Sequence, residues 1–235
     1  MNTIDNYLNQ LPLGIYEKIS KIWNEFKTEI VEQNRYFSGV NVIQILSQLN
    51  FMPIFPNGTK LQFFRARIGD YCGCQDTEML APPIRKASYG RCNPEGISYL
   101  YLANQKETAL SEVRPQIGDT VTIITCDVDI SKVFTFNVYL MEQYGIKAAN
   151  DEVKCLLLLI LKDLQSVVTI SNHLDYIPLQ YIAEYIKSLG YHGFMYSSIY
   201  GNGMNLVMFD WNNKVKIKTK EKVYINNSKL IYSTL

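Results

Sequence analysis

The stretch GRCNPEGISYLYLANQKETALSEVRP, residues 90–115, decides how the fold of this chain is predicted. Pro94 and Gly96 mark a turn near its beginning, because these two residue types interrupt regular structure. The apolar, aromatic-rich run at 97–103 is bounded by turn residues and is typical of a buried strand. The stretch therefore predicts a turn followed by a strand at the centre of a folded domain.

A helix is predicted at 105–113, directly after this strand. Asn104 is followed three residues later by Glu107, the capping-box pattern that opens many helices. Glu112 then lies near the C-terminal end of the helix, where the helix macrodipole disfavours a negative charge. An acidic side chain in an unfavourable position suggests a functional role.

Length and composition favour one domain, or one domain with a small extension. The chain has 235 residues and a mass of 27.1 kDa, which suits a single domain. Its 47% hydrophobic and 12% aromatic residues are enough for a packed core. The formal net charge of +1 argues against a general binder of polyanions such as nucleic acid.

The chain shows no targeting or membrane segment. Its beginning, MNTIDNYLNQ, lacks a basic region followed by an apolar one, so no signal peptide is predicted. The most apolar run, residues 155–161, is far shorter than the ~18 residues that a membrane span needs. We therefore expect a soluble, cytoplasmic protein without membrane contact.

The cysteines do not form a recognisable metal site. They are an odd set without CxxC spacing, Cys72, Cys74, Cys92, Cys126 and Cys155. A zinc site would need a fourth ligand, and the only two histidines are distant in the sequence. We predict reduced, mostly buried thiols and no bound metal.

Residues 1–60 are predicted to form an N-terminal helical extension. Five apolar residues recur at steps of three and four, the spacing of one buried helix face: Ile15, Ile19, Trp23, Phe26 and Ile30. A second helix is predicted near 42–49, and a cluster of proline, asparagine and glycine at 53–58 follows it. We place the boundary there, with the main domain at 61–235.

The main domain is predicted to be α+β, with a mixed or antiparallel central sheet and flanking helices. Strands are predicted at 61–67, 97–103, 120–127, 133–138, 193–196 and 205–209, and helices at 105–113, 151–164 and 175–189. The alternating tail at 214–225 is predicted to be an edge strand protected by lysines. The irregular segment at 68–96 is long enough to be a functional loop.

Four separated segments carry a family resemblance. They are FFRAR at 63–67, GRCNPEG at 90–96, LYLANQKETALSEV at 100–113 and GYHGFMYSS at 190–198. In this order they resemble the RES-domain family, named for an arginine, a glutamate and a serine, over about residues 61–210. The three naming positions correspond to Arg65, Glu112 and Ser198, and Arg91 and Tyr101 match further motif positions.

The resemblance implies a bacterial enzyme with a fold like that of ADP-ribosyltransferases. It implies NAD as the substrate, no separate cofactor, and no metal. Known members are toxins of toxin–antitoxin pairs, and many of the antitoxins carry a helix-turn-helix domain. Some members split NAD with water or phosphate and others attach ADP-ribose to a protein, so the acceptor stays open. The main domain would then be the catalytic one.

The residue types suit this chemistry. Cleavage of the nicotinamide–ribose bond builds positive charge on the ribose, which the Glu112 carboxylate would stabilise. Arg65 and Arg91 would bind the pyrophosphate, because a guanidinium matches phosphate oxygens in a forked geometry. Tyr101 would hold the nicotinamide with its ring or hydroxyl. Ser198 would donate a hydrogen bond to phosphate or ribose, and is not expected to be a nucleophile.

Simpler interpretations compete with these roles. Glu112 could form a surface ion pair with Lys106 or Arg114. We expect the alternation of a strand to turn either Arg65 or Arg67 outward into solvent, and the family resemblance selects Arg65 for the site. The chain as a whole could also be a non-catalytic module that binds a nucleotide.

Overall fold

Within the residues that the computed structural model describes (3–49, 54–143, 150–166, 173–200 and 202–227), seven strands form one sheet. The strands are β1 (Lys60–Ile68), β2 (Leu100–Ala103), β3 (Thr120–Asp129), β4 (Val133–Thr135), β5 (Gly193–Ser197), β6 (Met204–Met208) and β7 (Val215–Tyr224). The α-helices are α1 (Thr3–Leu8), α2 (Ile15–Thr28), α3 (Val42–Leu46), α4 (Lys106–Glu112), α5 (Val138–Gln143), α6 (Asp151–Leu164) and α7 (Ile177–Ser188).

The sheet is mixed, which confirms the predicted α+β class with flanking helices. Its strand order is β4-β5-β6-β2-β1-β3-β7. β4 and β5 run parallel, and every other neighbouring pair is antiparallel. β2 lies between β1 and β6, with Phe64 opposite Ala103 and Ala103 opposite Asn205. This order brings chain segments that are distant in sequence together at the middle of the sheet.

Several predictions about individual elements are wrong in detail. The strand predicted at 97–103 begins only at Leu100, because the Ile97 amide still donates to the Pro94 carbonyl in the preceding turn. The strand predicted at 133–138 ends at Thr135, because Asn137 accepts a hydrogen bond from the Leu140 amide and begins α5. The helix predicted at 42–49 ends at Leu46. The capping box at Asn104 does not form, because its side-chain oxygen accepts from the Met204 amide at 2.7 Å and ties α4 to β6 instead.

The α6 helix is the centre of the hydrophobic core. Residues 155–161 are all buried, which makes the helix apolar around its whole circumference. It contacts α1, α2 and α3 on the N-terminal side, and also β5 and α7. Fully burying one large apolar side chain contributes about 1.5–3 kcal/mol to the stability of the fold. Because α6 buries side chains against the N-terminal helices and against β5 and α7, its stability depends on both groups of elements. The division at residue 60 stays a prediction, while the two parts share one apolar cluster.

Polar contacts also join the N-terminal helices to α6. Asp163 accepts hydrogen bonds from Trp23 Nε1 at 2.8 Å and from Lys27 Nζ at 3.0 Å. The Lys18 ammonium lies 2.5 Å from Glu152, and Lys162 lies 3.1 Å from Asp5. α2 is therefore held along its length by both apolar and polar contacts with α6.

β7 is an edge strand with lysines, as predicted, and its lysines bind the long loop after β1. Lys220 contacts Asp76 at 3.1 Å and donates to the Cys74 carbonyl at 2.7 Å. Lys222 contacts Asp70 at 2.8 Å. These bonds hold residues 70–76 against the sheet, so the basic tail has a structural role in this molecule.

No helix among the described residues is long and apolar enough to cross a membrane. Among the same residues, no group of three or more histidine, cysteine, aspartate or glutamate side chains could hold a metal ion. Burial raises the pKa of both Cys92 and Cys126 to about 12 and that of Cys155 to about 11. These three buried thiols therefore stay protonated and unreactive at neutral pH.

Candidate active site

A cleft of about 500 Å³ opens at the middle of the sheet. Its walls come from β1, β2, α4 and the antiparallel pair β5–β6. Three of the predicted site residues line it, Arg65, Tyr101 and Glu112. This volume lies within the range of roughly 300–1,000 Å³ that is usual for sites of small molecules and cofactors.

Glu112, at the C-terminal end of α4, has one anchored carboxylate oxygen. Its Oε1 accepts hydrogen bonds from Ser198 Oγ at 3.0 Å and from Asn205 Nδ2 at 2.5 Å. Its Oε2 has no hydrogen-bond partner among the described residues. The alternative surface ion pair does not form, because Lys106 contacts Glu221 at 2.8 Å and Arg114 contacts Tyr200. The second carboxylate oxygen thus remains available in the cleft.

The turn between β5 and β6 places Ser198, whereas Asn205 lies within β6. The Ser198 amide donates to the Gly203 carbonyl at 2.9 Å, and Ser198 Oγ accepts from the Tyr200 amide at 3.0 Å. Gly203 is required here because an added Cβ would lie 2.1 Å from Thr108 Oγ1 of α4. The close approach of this turn to α4 is what brings Ser198 within reach of Glu112.

Arg65 reaches the cleft from β1 and is fixed by β2. It donates a hydrogen bond from Nη1 to the Tyr101 carbonyl at 2.9 Å. Its Nε is buried and has no hydrogen-bond partner among the described residues. Burial, and secondly the positive charge of Arg67, lowers the pKa of Arg65 to about 10. The guanidinium is still charged at neutral pH, and it retains unused donor capacity.

Arg67 also lines the cleft, so the expectation that one of the two arginines points outward is wrong. Successive residues of a strand alternate between faces, and residues two apart therefore share a face. The Arg67 guanidinium lies 4.4 Å from the centre of the Tyr71 ring and donates to the Glu78 carbonyl. The cleft therefore contains two guanidiniums rather than one.

Tyr101 lines the cleft, and its hydroxyl is bonded within the protein. The hydroxyl donates to Asn93 Oδ1 at 2.7 Å and accepts from the Cys92 amide at 3.1 Å. Burial raises its pKa well above the ordinary value, so the group is a neutral hydrogen-bonding anchor. Gly90 allows this arrangement, because a Cβ there would lie 2.4 Å from Asn93 Oδ1.

Arg91 lies outside the lining of the cleft. It donates to the Ser166 carbonyl at 2.8 Å and to the Asp163 carbonyl at 3.3 Å, and it lies 5.4 Å from the centre of the Tyr176 ring. A cation next to the last carbonyls of α6 is favourable for the helix dipole. These contacts fix the turn before β2 to the end of α6.

Two further residues of the site were not selected from the sequence, Asn205 and Tyr196. Both line the cleft, and the Asn205 side chain hydrogen-bonds with Tyr196 as well as with Glu112. The available signal was a lone asparagine in the apolar segment NLVMF, where a buried amide must find partners. Burial keeps the pKa of Tyr196 far above its ordinary value, so its hydroxyl stays neutral.

The fold and the site define a class of protein: an α+β domain whose central cleft combines an anchored carboxylate with two guanidiniums. The chain belongs to the RES-domain family, since the model of that family, the RES domain, matches residues 62–225. This confirms the resemblance found in the sequence.

Among solved structures, the chain is similar to the crystal structure of the M. tuberculosis MbcT–MbcA toxin–antitoxin complex. The similarity has a TM-score of 0.47 at 12% sequence identity, and it covers 77% of this chain and 92% of the other. No curated protein matches the sequence.

Proposed function

We propose that this chain is a toxin-like enzyme that cleaves the nicotinamide–ribose bond of NAD. The observation that carries this proposal is the anchored Glu112 carboxylate, which has one oxygen free in a cleft that also contains Arg65 and Arg67. The reaction needs an anion that stabilises the positive charge developing on the ribose, and it needs cations that bind the pyrophosphate.

In the proposed step, the bond between C1 of the ribose and the pyridinium nitrogen breaks. Its electron pair leaves with nicotinamide, which becomes neutral, and positive charge spreads over the ribose as an oxocarbenium-like species. Glu112 Oε2 stabilises this charge and accepts a hydrogen bond from a ribose hydroxyl. Ser198 and Asn205 hold Oε1, so the carboxylate is oriented before the substrate arrives.

Water or phosphate then completes the reaction. Attack of a water oxygen on C1 of the ribose gives ADP-ribose and releases a proton, whereas attack of phosphate gives ADP-ribose phosphorylated at that carbon. Ser198 is a hydrogen-bond donor in this mechanism and not a nucleophile, because its hydroxyl bonds to the carboxylate rather than to a basic histidine.

We also infer that a protein partner controls the enzyme. Unrestrained cleavage of NAD would stop growth, so a cell that produces the chain needs a neutralising antitoxin. This inference rests on the proposed activity and on what membership of the RES-domain family implies.

The test in cells is expression of the wild type beside Glu112→Gln and Glu107→Gln, with growth and total NAD measured. Glu107 lies on the same helix and is exposed, so its variant is a matched control. We expect wild type and Glu107→Gln to deplete NAD and arrest growth, and Glu112→Gln to do neither at equal protein level. Growth arrest by Glu112→Gln would contradict the proposal, and arrest with label from NAD on a macromolecule would favour ADP-ribosyl transfer instead.

A further inference from the structure

A second cavity, of about 1210 Å³, adjoins the cleft. It lies between the loop after β1 and the segment after β6, and the two cavities share three lining residues, Arg65, Arg67 and Tyr71. The two spaces therefore meet at a pair of guanidiniums. The first cavity contains the Glu112 carboxylate, and the second does not.

The junction between the cavities is built to accept an anion. Arg65 is held by the Tyr101 carbonyl but retains a buried Nε without a partner among the described residues. Arg67 is held on the Tyr71 ring and by the Glu78 carbonyl. Two cations fixed next to each other repel, and a phosphate group between them would relieve this repulsion and satisfy the unused donors.

The wall of the second cavity suits a flat, largely apolar group. It includes Trp211, which is half-buried, and two isoleucines with exposed side chains, Ile84 at 79% and Ile97 at 37%. An aromatic ring and aliphatic side chains bind a purine base by stacking and burial. Lys187, which lies 5.3 Å from the centre of the Tyr99 ring, adds a further cation to the same wall.

We propose that the second cavity binds the adenosine half of the dinucleotide, and that Arg65 and Arg67 together bind its pyrophosphate. This inference rests on the proposed function, because the position of Glu112 assigns the nicotinamide riboside to the first cavity. The dinucleotide consists of two nucleosides joined by a pyrophosphate with two negative charges. The protein offers two cavities that meet at two guanidiniums. The role that the sequence suggested for Arg91 then passes to Arg67, which lies at the junction.

The test uses ADP as the probe, in calorimetric titrations of the full chain, because ADP carries the adenosine and both phosphates but no scissile bond. We expect the wild type to bind ADP, and Trp211→Ala and Arg67→Ala to weaken binding by about 5- to 100-fold, the usual effect of losing one stacking contact or charged pair. Trp211→Phe should retain most of the affinity. Arg35→Ala is the matched control, since Arg35 is exposed and lines neither cavity.

The same variants separate this inference from the proposed function. In assays of nicotinamide release, Trp211→Ala should raise the KM for NAD with little change in kcat. Failure of the wild type to bind ADP would overturn the adenosine site even if NAD is cleaved. So would ADP affinities of Trp211→Ala and Arg67→Ala equal to that of the wild type, when both variants are as thermally stable as the wild type. Binding of ADP without nicotinamide release by the wild type would support the site and contradict the enzyme.

Discussion

At the scale of single residues, one oxygen of Glu112 receives two hydrogen bonds from different places in the chain. Ser198 follows β5 and Asn205 lies within β6, while Glu112 ends a helix. Both donors are buried, at 6% exposure each. Because one donor lies within β6 and the other directly follows β5, they fix the carboxylate although its own position at the helix end is electrostatically unfavourable.

We predict that Asn205→Ala lowers kcat for nicotinamide release by about 10- to 100-fold with little change in KM, since a misplaced carboxylate affects mainly the transition state. Ser198→Ala should behave similarly. The double variant should lose less than the product of the two effects, because both donors act on the same oxygen. Steady-state kinetics of the three variants test this, and fully multiplicative effects would show that the donors act independently.

The sequence predicted part of this site. The family motifs selected Arg65, Tyr101 and Glu112, which share the cleft, and Ser198, which bonds to Glu112. Asn205 was missed because the segment NLVMF resembles an ordinary buried strand, and the partner of a buried amide depends on which strand lies next to it. Arg91 could not be located from the sequence, because its partners are the backbone carbonyls of Asp163 and Ser166, at and just beyond the end of α6 and far along the chain.

At the scale of elements, β7 anchors the loop that borders both cavities. Tyr71 and Glu78 lie in this loop and form part of the cavity walls. Lys220 is the better-shielded anchor, with a side chain that is 12% exposed, against 53% for Lys222. Surface ion pairs contribute little to stability, ~0–1 kcal/mol each. We therefore expect Lys220 to hold the loop in place without adding much to the stability of the whole fold.

We predict that Lys220→Ala accelerates amide hydrogen exchange at 70–76 and raises the KM for NAD, with a change in unfolding free energy below about 1 kcal/mol. Lys216→Ala, on the same strand and exposed, is the control. Hydrogen exchange measured by mass spectrometry compares the two variants. Equal exchange of the loop in both would mean that Lys220 does not hold it.

A second loop, between α2 and α3, is held by Glu29. Its carboxylate accepts hydrogen bonds from the Ser38 hydroxyl and from the amides of Gly39 and Val40. The Ser38 bond first, and then the backbone bonds, lower the pKa of Glu29 below its ordinary 4.5. Since the folded pKa is lowered, the stabilisation is complete above the ordinary pKa and is lost as pH falls through the folded value.

We predict that Glu29→Gln lowers the melting temperature at neutral pH, and that the difference from wild type shrinks as pH falls below 4.5 and through the lowered pKa of the folded state, because the wild-type carboxylate then becomes uncharged as well. Glu32→Gln is the matched control, because Glu32 lies in the same turn and is exposed. Melting temperatures of the wild type and both variants, measured from neutral to acidic pH, test this prediction. A difference that persists in acid would show that charge is not the cause.

The elements themselves were largely predictable, because local signals decide them. α6 has the predicted bounds, and its Asn150 side chain caps the Val153 amide at 3.0 Å. The α4 cap was mispredicted because a tertiary contact, Asn104 with Met204, competes for the same side chain. Strand order and the position of the cleft depend on long-range pairing, which hydrophobic periodicity does not encode.

At the scale of the whole molecule, the N-terminal helices and the sheet share the core around α6. Trp23 is buried at 2% exposure and bonds to Asp163, while Trp211 lies next to the second cavity. The chain has these two tryptophans, so Trp23 reports on the N-terminal helices and Trp211 reports on the domain that contains the sheet. Shared burial of this kind predicts that both halves unfold together.

We predict that Trp23→Phe and Trp211→Phe each give a single urea transition, in which the fluorescence of the remaining tryptophan coincides with circular dichroism. Trp23→Phe should be the less stable of the two, because it removes a buried hydrogen bond to Asp163. If Trp23 fluorescence changed at lower urea than circular dichroism, the N-terminal helices would be a separate folding unit.

We propose above all that Glu112 makes this molecule an NAD-cleaving enzyme. The most direct measurement is nicotinamide release from NAD by the purified chain, with and without phosphate, for wild type, Glu112→Gln and Glu107→Gln. We predict release by wild type and Glu107→Gln, and a loss of at least about 10²- to 10³-fold in Glu112→Gln, the usual cost of removing one group that stabilises transition-state charge. Release by Glu112→Gln at the wild-type rate, or no release by the wild type in either buffer, would contradict this role of Glu112.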